Sequence, residues 1–396
     1  MPLNQFLRGC KDEFGDVDNI MSCATANKYL AEDRIMCLEI IAKKKKEWII
    51  RYIPGAKCLT DPPLSLVDLV KQRRRWFNGS MFATFHVMGS MCRIWKRSCR
   101  SFFRNILFMY LYMYMLVLLF LSFILVGLFY AAFSIFMRAT FSSDDCYSIT
   151  SVANVLENLY LIFLFGVLML STTVNVDWAE WGFRVCSVFM GAFTILMVVA
   201  SVFYALDGTT NLFSIVFIGI FIASYIVPLL LNLNNLKIAD FLKGAVYGVY
   251  MSPTYVNIFT IFAISNIHDV SWGSRPTTQD VRVKAAASRK DEMYKDFRAN
   301  FLIVWLIINI AIGTVVTTTA RGDNEYILLG IGIFLASVLF IKLILALLYV
   351  LMHWWHQILV AYKFSKIKKS GRFDFVRSNN LDDKRTGVKR PRGKPQ

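Results

Sequence analysis

Apolar residues in this chain gather into long uninterrupted runs, at about 106–137, 152–173, 185–205, 212–231, 300–318 and 326–351. Each is close to the roughly 20 residues an α-helix needs to cross a bilayer, and the first exceeds that length, which predicts tilt or projection. Before residue 90 the pattern is mixed. Ala31–Ala42 spaces Ile35, Leu38 and Ile41 as a helix does, with acids at its start and the lysines 43–46 at its end. Residues 47–53 (EWIIRYI) read as a short buried strand ended by Pro54-Gly55. Leu64–Phe77 reads as another helix, carrying Gln72 and Trp76 on one face. Pro253–Ile267 is apolar but too short to span, and is expected to be an interfacial or re-entrant helix.

Composition fits a polytopic membrane protein with a soluble portion at each end: 396 residues, 56% hydrophobic, with a formal net charge of +17. The cations cluster beside the apolar runs, so they read as topology and not as nucleic-acid binding. Six crossings place both ends and the loop 232–299 on the cytoplasmic side; the loop 174–184, with only Arg184, is the weakest support. Four regions follow: a soluble part over 1–90, a basic interfacial segment over 91–105, a membrane region over 106–351, and a basic cytoplasmic tail over 352–396, disordered from about Ser370. Residues 275–298 are charged and read as flexible.

The densest chemistry lies in Lys71-Gln72-Arg73-Arg74-Arg75-Trp76-Phe77-Asn78-Gly79. One reading is a juxtamembrane anchor to an anionic leaflet. The other is a sugar and diphosphate site, because arginine forks suit phosphate oxygens and an indole face suits a pyranose ring. Asp16-Val17-Asp18 could bind a divalent ion through carboxylates, but in its acidic stretch solvated surface is the simpler account. His353 and His356, one helical turn apart among tryptophans, read as an interfacial girdle. No metal site is expected on this chain.

Three segments, in this order and spacing, resemble chitin synthases of the processive family-2 glycosyltransferases: Leu30-Ala31-Glu32-Asp33-Arg34-Ile35, Gln72-Arg73-Arg74-Arg75-Trp76 with Asn78-Gly79, and His268-Asp269-Val270-Ser271-Trp272-Gly273. The resemblance implies a mainly α membrane protein: the C-terminal piece of a GT-A type α/β glycosyltransferase domain, followed by about six transmembrane helices with interfacial helices. It implies transfer of N-acetylglucosamine from UDP-N-acetylglucosamine to a growing β-1,4 chitin chain, which leaves through the spans. Asp33 becomes the catalytic base with Glu32 beside it. Gln72 and Arg75 lie near diphosphate and acceptor, and Trp76 stacks on the acceptor sugar. Ser271, Trp272 and Gly273 gate or guide the polymer. Arg73 and Arg74 stay open between packing and a direct role.

The resemblance also implies a nucleotide-binding half ahead of Glu32, holding Mg2+ or Mn2+ at the diphosphate. Only about 30 residues precede Glu32, so the chain is expected to be the C-terminal part of a longer synthase, inactive in isolation. The expected partners are the nucleotide sugar, nascent chitin and the bilayer of the plasma membrane, with room for a homodimer and no nucleic acid. The alternatives are a cellulose- or hyaluronan-type synthase, and a transporter or channel. A transporter would need ionisable residues in mid-span, where Lys342 alone stands well inside a run.

Overall fold

The computed structural model describes residues 21–43, 48, 50, 56, 58–97, 102–141, 147–207, 226–227, 238–271, 284–321 and 325–369. The expected strand over 47–53, the expected span over 212–231, Asp16-Val17-Asp18, Trp272 and Gly273 lie outside the described residues, wholly or in most positions. All regular structure among the described residues is helical. The chain divides into two units, one of residues 1–214 and 237–333, the other of residues 215–236 and 334–396.

The first unit opens with two short helices. In α1 (Cys23–Tyr29) the Ser22 hydroxyl accepts the Thr25 N–H at 3.2 Å, closing the N-terminus. Helix α2 (Glu32–Ile41) has Glu32 and Asp33 in its first turn, where carboxylates suit the helix dipole. Helix α3 (Leu66–Gly89) starts at Ser65, whose hydroxyl accepts the Asp68 N–H at 3.0 Å. The apolar spacing predicts an end near Phe77, yet the helix runs on to Gly89. Asn78 and Gly79 are buried in its middle, and packing overrides the weak helix propensity of both.

Next come α4 (Met91–Arg97), α5 (Phe102–Phe141), α6 (Tyr147–Thr173) and α7 (Glu180–Asp207). A continuous helical run follows: α8 (Ile238–Pro253), a π-helical turn (Thr254–Phe259) and α9 (Thr260–Ser265). Helix α10 (Lys284–Arg321) begins inside the segment expected to be flexible. An alanine triplet and an Asp291–Lys295 pair one turn apart at 2.6 Å support that first part.

Five described helices are long and apolar enough to cross a membrane: Asn105–Arg138, Val152–Thr173, Glu180–Ala200, Lys290–Thr319 and Ala336–Tyr362. This is a multi-pass membrane protein. The last of these belongs to α11 (Glu325–Lys369), which from Phe334 onward lies in the second unit.

Polar clamps join the spans of the first unit. Asn309 of α10 donates to the Phe123 carbonyl (3.0 Å) and accepts from the Gly127 N–H (2.9 Å), the two groups an α-helix pairs with each other. Trp305 donates to the same carbonyl at 2.8 Å. Gly127 is required there, since a Cβ would collide with the Asn309 backbone. Arg138 at the end of α5 binds Glu157 of α6 at 2.6 Å, and Ser134 donates to the same carboxylate at 2.8 Å. Such bonds matter more between spans than burial does, because lipid is as apolar as the side chains it would replace.

The segment 254–267 forms the centre of the first unit. Ile258, Ile264 and Ile267 are fully buried, packed with Phe262 against Val70 of α3, Val167 of α6, Phe183 of α7 and Trp305 of α10. Asn257 donates to the Tyr160 hydroxyl (2.8 Å), the Thr254 and Ser187 hydroxyls pair at 2.7 Å, and Asn266 donates to the Ser171 carbonyl (2.9 Å). Tyr160, Ser171 and Ser187 all sit on candidate spans, so the segment packs among those helices. It is also longer than expected, because helix starts at Ile238 and no charged side chain occurs over 244–267.

Candidate acceptor site at the mouth of the helical bundle

Helix α3 is the element against which the other two candidate segments are built. Gly79 faces the junction of α1 and α2. A Cβ there would stand 3.0 Å from the Ala31 nitrogen and 3.1 Å from the Leu30 carbonyl carbon. Only the missing side chain lets α3 come this close to the start of α2, which carries Glu32 (half-buried) and Asp33 (exposed). Asp33 accepts the N–H of Arg34 at 2.8 Å, a local contact that leaves its carboxylate facing solvent.

The segment 266–271 is held from both sides. Asn27 of α1 donates to the Ile267 carbonyl at 2.8 Å and to its own helix at Cys23 (3.0 Å). From α3, Asn78 donates to the Ala263 carbonyl at 2.8 Å. Arg74 reaches furthest, ion-paired to the Asp269 carboxylate and donating to the Ser271 carbonyl at 3.1 Å. Its side chain is only 4% exposed. Burial, then the neighbouring Arg75, pulls its pKa down to about 10, so it stays charged at neutral pH. Asp269 in turn accepts the Ser271 N–H at 2.9 Å, fixing the turn that leads to Trp272.

His268 lies inside this junction. Burial first, then the cations of Arg298 and Arg74, hold its pKa down at about 4, against a partial opposing pull from Asp291. The imidazole is therefore neutral at pH 7. Cys23, buried and directed at the Ile267 carbonyl, has its thiol pushed up to about 12 by burial.

The other face of α3 is open. Trp76 is 50% exposed. The Arg73 guanidinium lies 4.7 Å from its ring centre and 5.3 Å from that of Tyr255, on the π-helical turn. Gln72 and Arg75 are half-buried beside them. At the start of the helix Lys71 pairs with Asp177 at 2.6 Å, so the turn between α6 and α7 lies at the same end of the bundle as α3.

Residues 1–91 match the chitin synthase-like glycosyltransferase domain. Chitin synthase 2 of Cryptococcus neoformans var. grubii is 30% identical over 288 residues, which is 68% of this chain and 30% of that protein. Chitin synthase 2 of Mycosarcoma maydis is 24% identical over 401 residues, 82% of this chain and 37% of that protein. Chitin synthase 2 of Rhizopus oligosporus is 23% identical over 395 residues, 81% and 46% respectively. The chain is a chitin synthase-like protein. It spans less than half the length of these relatives.

In this chitin synthase-like protein the three segments named from sequence converge on α3. Leu30 and Ala31, just ahead of Glu32 and Asp33, approach it at Gly79, and Ser271 approaches it at Arg74; Trp272 and Gly273 lie outside the described residues. The sequence left Arg74 unresolved, named Asn78 within a motif but gave it no role, and missed Asn27, Asp177 and Tyr255. Asn78 could have been suspected, since a poor helix former inside an apolar helical pattern needs a buried partner. The others carry no local signal, because their partners lie far away in the chain. Among the described residues no three His, Cys, Asp or Glu side chains gather as metal ligands.

Proposed function

We propose that this chitin synthase-like protein provides the acceptor-binding and translocating part of a chitin synthase. The observation that supports it is the meeting of three far-separated segments on one helix, with carboxylates, cations and an exposed indole at one end of a helical bundle. In this reading residues 1–90 close a GT-A type α/β glycosyltransferase domain, six crossings form the channel, and both ends face the cytoplasm at the plasma membrane.

The reaction joins the acceptor 4-hydroxyl oxygen to the anomeric carbon of N-acetylglucosamine while the bond from that carbon to the diphosphate breaks, with inversion. UDP leaves with the electron pair. Asp33, solvent-facing at the start of α2, takes the hydroxyl proton, as a carboxylate at hydrogen-bond distance can. Glu32 stands beside it in the first turn of the helix as a second carboxylate. Arg75, a permanent cation, offsets charge developing on the leaving diphosphate, and Gln72 bonds acceptor hydroxyls. Trp76 lies flat against the acceptor ring. Ser271, Trp272 and Gly273 guide the polymer toward the spans. A divalent ion, Mg2+ or Mn2+, would neutralise the diphosphate when bound, and the described residues offer it no ligand set.

The test is incorporation of radiolabelled N-acetylglucosamine by membranes expressing the protein from its native gene. Asp33→Asn should lower synthesis by two orders of magnitude or more, in keeping with the contribution of a positioned base. Retained synthesis would remove Asp33 from that role. Trp76→Ala should lose elongation while nucleotide-sugar binding persists.

A further inference from the structure

We propose that Tyr255 is a second carbohydrate platform, one step further into the bundle than Trp76, and that Arg73, Trp76 and Tyr255 together bind consecutive rings of a β-1,4-linked pyranose chain. The proposal rests on the polymer-synthase reading above and goes beyond it by adding a residue and a direction of travel.

Tyr255 departs from its surroundings. Residues 257–265 and Thr254 are buried, whereas Tyr255 is 48% exposed. It sits on a π-helical turn, a geometry that costs backbone energy and recurs at functional sites. Its ring is held by Phe259, edge-on at 4.9 Å, and so presents a fixed face. The Arg73 guanidinium lies over that ring and over the Trp76 ring. Two exposed aromatic faces thus flank one planar cation. The Arg73 Nε is buried and has no hydrogen-bond partner in the protein. An unused donor between two aromatic faces matches what a sugar chain offers: apolar ring faces to stack and hydroxyls to accept.

The direction follows from the neighbours. Trp76 belongs to α3, where Lys71 pairs with Asp177 in the turn between spans. Tyr255 adjoins Thr254, whose hydroxyl pairs with Ser187 within the candidate span Glu180–Ala200. A chain leaving Trp76 and stacking next on Tyr255 therefore moves from the bundle mouth toward its interior.

The test is equilibrium dialysis of a radiolabelled tetramer of β-1,4-linked N-acetylglucosamine against the purified chain in detergent. Trp76→Ala and Tyr255→Ala should each weaken binding about tenfold, and Arg73→Ala by less. Tyr255→Phe should bind like the parent, since the ring is the platform. Tyr255→Leu, which keeps apolar bulk, should lose binding while its unfolding temperature holds. Parent-like binding by Tyr255→Leu, with loss in Trp76→Ala, would overturn the role of Tyr255 and leave the acceptor reading standing. No tetramer binding by the unaltered chain would overturn both.

Discussion

Arg74 and Arg73 are adjacent and chemically identical, yet helix geometry turns successive side chains about 100° apart and gives them different work. Arg74 points into the junction with Asp269 and Ser271, and Arg73 lies over two open aromatic rings. Replacing Arg74 by Ala leaves Asp269 without its cation and the Ser271 carbonyl without its donor, and should cost about 1–3 kcal/mol in chemical unfolding. The upper bound is modest because the Asp269 side chain is 43% exposed. His268 supplies a pH signature. Its folded pKa of about 4 lies below the ordinary 6.5, so the unfolded chain binds the proton more readily. Stability from this group is complete above about 6.5 and is lost as pH falls toward about 4. Unfolding midpoints measured from pH 7.5 to 4.5 should decline, and His268→Asn should flatten that part of the decline. Cys23, with its raised pKa and 3% exposure, should resist a maleimide that labels the exposed Cys58 and Cys92. The residue types at the site were legible in the sequence as a basic, amide- and indole-bearing cluster. Which arginine turns inward was not, because that depends on Asp269, far along the chain.

At the scale of elements, the runs over 106–137 and 152–173 read directly as spans, since a membrane imposes a length that composition reveals. Helix α2 was equally plain from its apolar spacing and leading acids. Elements set by packing were harder. Helix α3 outruns its pattern because Gly79 and Asn78 are used for contact and not for propensity. The helical run ahead of Thr254 extends back past Pro253 to Ile238, and Pro253 stands at the entry to a π-helical turn whose Thr254 and Asn257 are supported by Ser187 and Tyr160. Gly79→Val tests how α3 meets α2. The added side chain meets backbone at Ala31 and Leu30, which cannot yield as a side-chain tip can, so the variant should lose about 1–3 kcal/mol of stability. Under the proposed function, synthesis should fall further than stability explains, because the start of the helix carrying Glu32 and Asp33 would be pushed away from α3.

For the whole molecule, topology rests on charge placement in the sequence and on side-chain pairing in the structure. The loop 174–184, where charge counting is weakest, is tied to α3 by the Lys71–Asp177 pair. The sequence also understated charge within the spans: Glu157 is buried and paired with Arg138 between α5 and α6, a staple between helices that needs no transport function. The central claim is that the Gln72–Trp76 helix and the His268–Ser271 segment form one site joined through Arg74. A double-mutant cycle on Arg74→Ala and Asp269→Ala, read by tetramer affinity and by unfolding of the purified chain, tests it most directly. A double variant no weaker than the worse single one is the predicted result. Fully additive losses would mean that the two segments act independently, and would contradict it.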